Sequence, residues 1–114
     1  MELAINGDSL HINLNWKEKL AAISGSLTIP LTHITSVDLD YPRIPNGIRL
    51  PGSYLPGLVA AGTYYTRKGK EFWCVIKKKN ILRIELKDEF YSRLILGLDN
   101  NKSWKETLDS TFPA

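Results

Sequence analysis

Apolar and polar residues alternate with a period of two along much of this 114-residue chain, and no other feature constrains the fold as strongly. A β-strand turns successive side chains to opposite faces of its sheet, so this period gives a strand one apolar face. The run 81–86 shows it most clearly, because every second side chain is apolar: Leu82, Ile84 and Leu86. The pattern predicts a mainly β fold whose sheets pack their apolar faces together.

Eight segments are predicted to form strands. They are residues 3–5, 10–14, 26–31, 34–39, 58–65, 70–77, 81–86 and 93–99. Asn6-Gly7 joins the first two, and this pair is a strong hairpin signal because both residues accept positive φ. Pro30 has no N–H to give to a ladder and is expected at a strand end or a sheet edge. Successive hairpins predict an antiparallel β-sandwich or a partly open barrel of about eight strands.

A short helix is predicted after the second strand. Asn15 can cap it, Glu18 can complete a capping box, and Gly25 ends it. Residues 87–92 are predicted to form one further helical turn.

A C-terminal helix is predicted to cap an open end of the sheets. Ser103 and Glu106 form a capping-box pattern at its start. Trp104 and Leu108 are four residues apart, so both would face the core.

Residues 40–57 break the alternation. They hold four of the six prolines and three glycines, so a regular element is not expected across most of the segment. A loop this long inside a small domain is often functional. We treat it as a candidate partner-binding loop, with a structural cap as the alternative, and its candidate residues are Tyr41, Ile44, Ile48, Arg49, Leu50, Tyr54 and Leu55.

Length and composition predict one domain that spans residues 1–114. The chain is 43% hydrophobic and 24% charged, which is ordinary for a globular protein. Its single cysteine excludes an internal disulfide and a cysteine-based zinc site. Neither a signal-peptide pattern nor a membrane span is recognised, so a soluble, cytoplasmic protein is expected.

The positive charge is concentrated in one region. Residues 66–93 carry nine basic and four acidic side chains, whereas the segments on either side are each slightly acidic. Six of the basic residues fall in two predicted hairpin turns and form a candidate anion-binding patch: Arg67, Lys68, Lys70, Lys77, Lys78 and Lys79. Such a patch could attract the phosphates of nucleic acid or of an anionic membrane surface.

Catalytic, metal and cofactor sites are not predicted. His11 and His33 have no nucleophile or acid placed beside them by a motif, so structural or solvent-exposed roles are expected. Cys74 lies between large apolar residues and is expected to be buried and unreactive. The carboxylates match no calcium-loop spacing, and a solvated turn and a helix N-terminus account for Asp88 and Glu89.

Several stretches resemble the bacterial pleckstrin-homology-like (PH-like) proteins of unknown function. These are IPLTHITSV (29–37), RLPGSYLPG (49–57), GTY (62–64), GKEFW (69–73), ILRIEL (81–86) and DEFYSRL (88–94). The resemblance implies two packed antiparallel sheets closed by a C-terminal helix and used for binding rather than chemistry. The turn between the first two strands, Asn6-Gly7-Asp8, lacks the basic residues of lipid-binding members, so inositol-phosphate recognition there is not expected.

The sequence therefore favours a non-enzymatic binding or scaffold module. It would engage a protein partner or itself, as an oligomer, through a sheet edge or the loop 40–57. Binding of an anionic surface through the basic turns at 67–79 is the alternative. A third hypothesis is that the chain is a small-molecule enzyme, which a large pocket lined by a histidine and carboxylates would support.

Overall fold

The computed structural model describes residues 1–15, 26–39, 48–55, 59–66, 69–76 and 80–111. In chain order its strands are β1 (Glu2–Asn6), β2 (Ser9–Asn13), β3 (Leu27–Pro30), β4 (Ile34–Asp38), β5 (Ile48–Leu55), β6 (Val59–Thr66), β7 (Gly69–Ile76), β8 (Ile81–Leu86) and β9 (Arg93–Gly97). A 3₁₀ turn (Leu31–His33) joins β3 to β4, and the helix α1 (Asn101–Asp109) follows β9. The predicted mainly β class is confirmed, and the predicted helix at 15–25 lies mostly outside the described residues.

The first hairpin forms as the sequence predicts. Asn6 pairs with Ser9, and Gly7 in the turn between them has φ of 62°, which a side-chain-bearing residue rarely adopts. Pro30 ends β3, which is an edge strand, as expected of a residue without an N–H.

The strands form two sheets. One has the order β1-β2-β3, and the other has the order β4-β8-β9-β7-β6-β5. Within the described residues these sheets remain separate, so a closed barrel does not form there, and the arrangement is compatible with the predicted β-sandwich.

The expectation of purely antiparallel hairpins is wrong at the centre of the larger sheet. β9 lies between β7 and β8 and pairs with β7 in parallel, from Glu71↔Arg93 to Cys74↔Leu96. Both strands carry consecutive buried residues at this pairing, Phe72–Val75 in β7 and Leu94–Leu96 in β9. Strands buried on both faces are typical of a sheet centre and of parallel pairing, and alternation does not describe them.

The prediction for residues 40–57 is also wrong in part. Residues 48–55 form β5, the last strand of the larger sheet, although they contain Pro51. Its register with β6 shifts between Arg49 and Gly52, so the proline lies at an irregularity of an edge strand. Proline is tolerated in a sheet only at such positions.

One apolar core lies between the two sheets. The smaller sheet contributes Leu10 and Ile12, and the larger one contributes Phe72, Leu82 and Ile84, each with no exposed surface. The predicted inward face of the run 81–86 is therefore confirmed. A second buried cluster occupies the opposite face of the larger sheet and contains Tyr64, Trp73, Val75, Ile81 and Ile95.

The C-terminal helix packs on β4 and β8, and Leu108 is fully buried as predicted. It begins at Asn101, two residues before the predicted start. The reason is a tertiary contact: the buried Asn101 side chain donates a hydrogen bond to the Ile81 carbonyl (2.9 Å). Ser103 thus lies inside the first turn, where its carbonyl accepts a bond from the Thr107 hydroxyl.

The predicted helical turn at 87–92 is wrong. This segment is a series of bends, and Asp88 has φ of 56°, which a right-handed helix cannot contain.

In the described part of the chain, the helix α1 is too short to cross a membrane.

Candidate functional site

Of the six residues of the predicted basic patch, only Lys70 lies in the described part of the chain. Thr66 pairs with Gly69, so Arg67 and Lys68 are the two residues that join β6 to β7. Lys77, Lys78 and Lys79 come after the other end of β7, and an eight-residue strand places its ends about 23 Å apart. Because five of the six residues lie outside the described residues, the basic patch stays a prediction.

Two aromatic rings lie next to Lys70. The sequence pattern did not predict these contacts. Its ammonium lies 3.9 Å from the centre of the Phe90 ring and 5.5 Å from that of Tyr65. Phe90 meets the Tyr91 ring edge-to-face at 4.9 Å. We call these four residues, Tyr65, Lys70, Phe90 and Tyr91, the aromatic–lysine platform.

Hydrogen bonds of the segment 87–92 fix the platform to the sheet. Ser92 donates its backbone N–H to the Lys70 carbonyl (2.7 Å), and the Tyr91 hydroxyl lies 3.0 Å from that of Thr63. Gly69 permits the close approach: it has φ of 120°, and a Cβ there would lie 3.3 Å from Ser92. Phe90 nevertheless remains 62% exposed, more than other large apolar side chains whose burial the structure describes.

A row of charged residues crosses the other face of the larger sheet, from β4 to β7. Arg83 bonds Asp38 (2.9 Å), Arg93 bonds Glu85 (2.8 Å), and Arg93 lies 3.8 Å from the buried Glu71. We call these five residues the ionic ladder. Glu71 also accepts a hydrogen bond from the Trp73 indole (3.1 Å), so the ladder ends against the second apolar cluster.

The ionic ladder is suited to stabilising the pairing of the strands that it crosses. Each cross-strand pair in it lies in direct register, with Asp38 opposite Arg83 and Arg93 between Glu85 and Glu71. Opposite charges at opposed positions stabilise a pairing and disfavour a slipped one.

Both histidines have partners in the described residues. His11 lies 3.3 Å from the Thr28 hydroxyl, and His33 pairs with Glu89. The predicted structural roles are consistent with these contacts, although Glu89 is held by His33 rather than by a helix N-terminus. Cys74 is buried as predicted, with 1% of its surface exposed.

An open groove of about 760 Å³ lies beside the 3₁₀ turn. It is lined by Asp8, Leu31, Thr32, Ile34, Thr35, Lys87 and Thr111. This lining has a single carboxylate and includes neither histidine, so the groove is not the pocket of a histidine and carboxylates that the enzyme hypothesis requires. Among the described residues, groups of three or more His, Cys, Asp or Glu suited to a metal ion do not occur.

The candidate partner-binding loop divides into two parts. Tyr41 and Ile44 lie outside the described residues. The other five candidates, Ile48, Arg49, Leu50, Tyr54 and Leu55, all belong to β5. The loop and the sheet edge, which the sequence offered as alternative binding surfaces, are thus one surface over residues 48–55.

Comparisons with known proteins give no relative: no family model matches the chain, no curated protein matches it, and no solved structure matches its fold.

Proposed function

We propose that this chain is a non-enzymatic, PH-like binding module that takes up an extended protein segment along β5. The observation that carries the proposal is the position of β5. It is eight residues long and, among the described strands, it pairs only with β6. No described strand pairs with its outer side, and unpaired backbone groups on such a side recruit a further strand.

The other edges of the two sheets are shorter or covered. β4, at the opposite edge of the larger sheet, has five residues, a shift in register and the helix α1 packed against it. β1 and β3, the edges of the smaller sheet, have five and four residues. β5 is thus the longest edge in the described residues, which favours it as the docking strand.

Half of β5 has the usual protection of an edge strand, and half does not. Arg49, Pro51 and the register shift between Arg49 and Gly52 all lie in the first half, and each of these features discourages pairing with another chain. Residues 52–55 contain no charge and no proline, and they pair with β6 in unbroken register. This second half is the proposed docking stretch.

The PH-like assignment belongs to the same proposal. Two sheets with a shared core and a C-terminal helix support it, whereas the parallel β7–β9 pair departs from the all-antiparallel arrangement that the resemblance implies.

A charge placed on this edge is expected to weaken binding. A second copy of the chain is the partner that can be tested directly. Two β5 strands in antiparallel contact would place the stretch 52–55 of one copy against the same stretch of the other. Ser53→Lys or Tyr54→Lys should raise the dimer dissociation constant by at least about tenfold, since juxtaposed like charges cost several kcal/mol. Sedimentation over the full range of soluble concentrations measures this.

Ser53 and Tyr54 are neighbours, and successive side chains of a strand face opposite ways. At most one of the two introduced lysines can therefore point into the core. Thr35→Lys, at an exposed position of the covered edge β4, is the matched control and should leave association unchanged. Affinity capture from lysate with the same variants extends the test to other proteins. A monomer at every concentration, with the same captured proteins for wild type and variants, would contradict the proposal.

A further inference from the structure

We infer that the aromatic–lysine platform is a binding site for single-stranded nucleic acid. This site is separate from the β5 edge, and it requires two features that the described residues bring together. One is an exposed ring on which an unpaired base can stack, and the other is a fixed cation beside it for the phosphate.

The ring is Phe90. It keeps 62% of its surface exposed although it contacts both Lys70 and Tyr91. A single exposed apolar ring is ordinary on a protein surface, and what distinguishes Phe90 is the Lys70 ammonium 3.9 Å from its centre. The Ser92 and Tyr91 bonds to β7 and β6 hold its segment in place, so little ordering is needed when a base arrives.

The cation is Lys70. Its ammonium lies 3.9 Å from the centre of the same ring, so the phosphate next to a base stacked on Phe90 would be within reach of it. A lysine ammonium at this position complements a phosphate of the nucleic acid backbone.

An anionic membrane shares the phosphate chemistry but fits this surface less well. Membrane-bound loops insert several apolar side chains, whereas here Tyr91 and Tyr65 are partly buried and only Phe90 protrudes. Asp88 and Glu89 immediately precede Phe90, and both would have to approach the anionic headgroups. A single base stacked from the open side avoids that contact.

The test is fluorescence anisotropy with a labelled oligothymidine of about 20 nucleotides, which is longer than one binding site. Phe90→Ala should weaken binding about 5- to 150-fold, the range measured when a stacking ring is removed. Phe90→Trp should retain it. Ile5→Ala removes another exposed large apolar side chain, on β1 of the smaller sheet, and should leave the affinity unchanged.

Salt dependence tests the cation separately. Lys70→Gln should lower the slope of log affinity against log salt by about 0.7, the value for one phosphate of a single strand. Lys102→Gln, at an exposed position of α1, is its control and should leave the slope unchanged. Thermal unfolding of each variant establishes that it is folded.

Three results would overturn the inference. They are a wild-type protein that does not bind the oligonucleotide, an affinity that Phe90→Ala leaves unchanged, and Phe90-dependent binding to phosphatidylserine vesicles without binding to the oligonucleotide.

Discussion

Replacement of Trp73 by alanine should lower the free energy of unfolding by about 3 to 5 kcal/mol, the usual cost of truncating a buried Trp. Trp73 has no exposed surface, and it is the largest fully buried side chain in the described residues. Its ring lies 5.6 Å from that of Tyr64, and its neighbours across the parallel pairing include Ile95. Truncation would open a cavity at the centre of the larger sheet, where strands on both sides prevent collapse. Urea unfolding followed by circular dichroism measures the loss.

Two further variants separate packing from hydrogen bonding. Trp73→Phe keeps most of the ring but removes the N–H that Glu71 accepts, so it should cost about 1 to 3 kcal/mol. Trp104→Ala, on the partly buried face of α1, should cost less than Trp73→Ala. Equal losses at Trp73 and Trp104 would contradict the second buried cluster.

Glu71→Leu should also destabilise the fold strongly, by about 3 kcal/mol. Glu71 is 4% exposed, and its removal takes one acid from Arg93 and the acceptor from the Trp73 indole. Breaking a buried pair by removing one partner costs about 3 to 5 kcal/mol, and the lower end applies because Arg93 keeps Glu85. The same unfolding measurement provides the number.

The double variant Glu71→Leu/Arg93→Leu tests the rest of the ladder. It also takes from Glu85 the guanidinium that lies 2.8 Å away, so it should be less stable than Glu71→Leu alone. Asp109→Ala is the control for a surface pair. It breaks the exposed contact with Lys105, in which the hydrogen bond raises the pKa of the lysine, and it should cost less than about 0.5 kcal/mol. A double variant as stable as Glu71→Leu alone would contradict the ladder as described.

Local pattern predicted most strands of this fold because alternation is a local property. The β1–β2 hairpin and the inward face of β8 depend only on residues a few positions apart, and both formed as expected. β5 was missed because Pro51 and the glycines around it argue against a strand in sequence. A strand tolerates proline at a sheet edge or at an irregular register. Neither property can be recognised from the sequence, because both depend on how the strands pair.

Long-range pairings lay beyond the sequence pattern. The insertion of β9 between β7 and β8 follows from how two doubly apolar strands bury both faces, which depends on the rest of the sheet. The start of α1 likewise follows from a bond between Asn101 and the Ile81 carbonyl, 20 residues away. The capping-box pattern at Ser103 was a valid local signal that a tertiary contact overrode.

The candidate sites likewise depend partly on local sequence and partly on long-range contacts. The basic residues could be found from charge alone, but the aromatic–lysine platform joins Lys70 to Phe90, which the bonds of Ser92 bring together. An exposed aromatic residue two positions before a serine carries no recognisable motif.

Docking on β5 requires that the outer edge of this strand is free, and amide hydrogen exchange of the monomer measured by NMR tests this directly. An edge strand bonded on one side protects every second amide, so two of the four amides of residues 52–55 should exchange slowly and two rapidly. The amides of Leu94, Ile95 and Leu96, in a strand paired on both sides, should all exchange slowly. Slow exchange at all four positions of 52–55 would mean that the edge is already covered, and rapid exchange at all four would mean that β5 does not pair with β6. Either result would contradict the proposed docking strand.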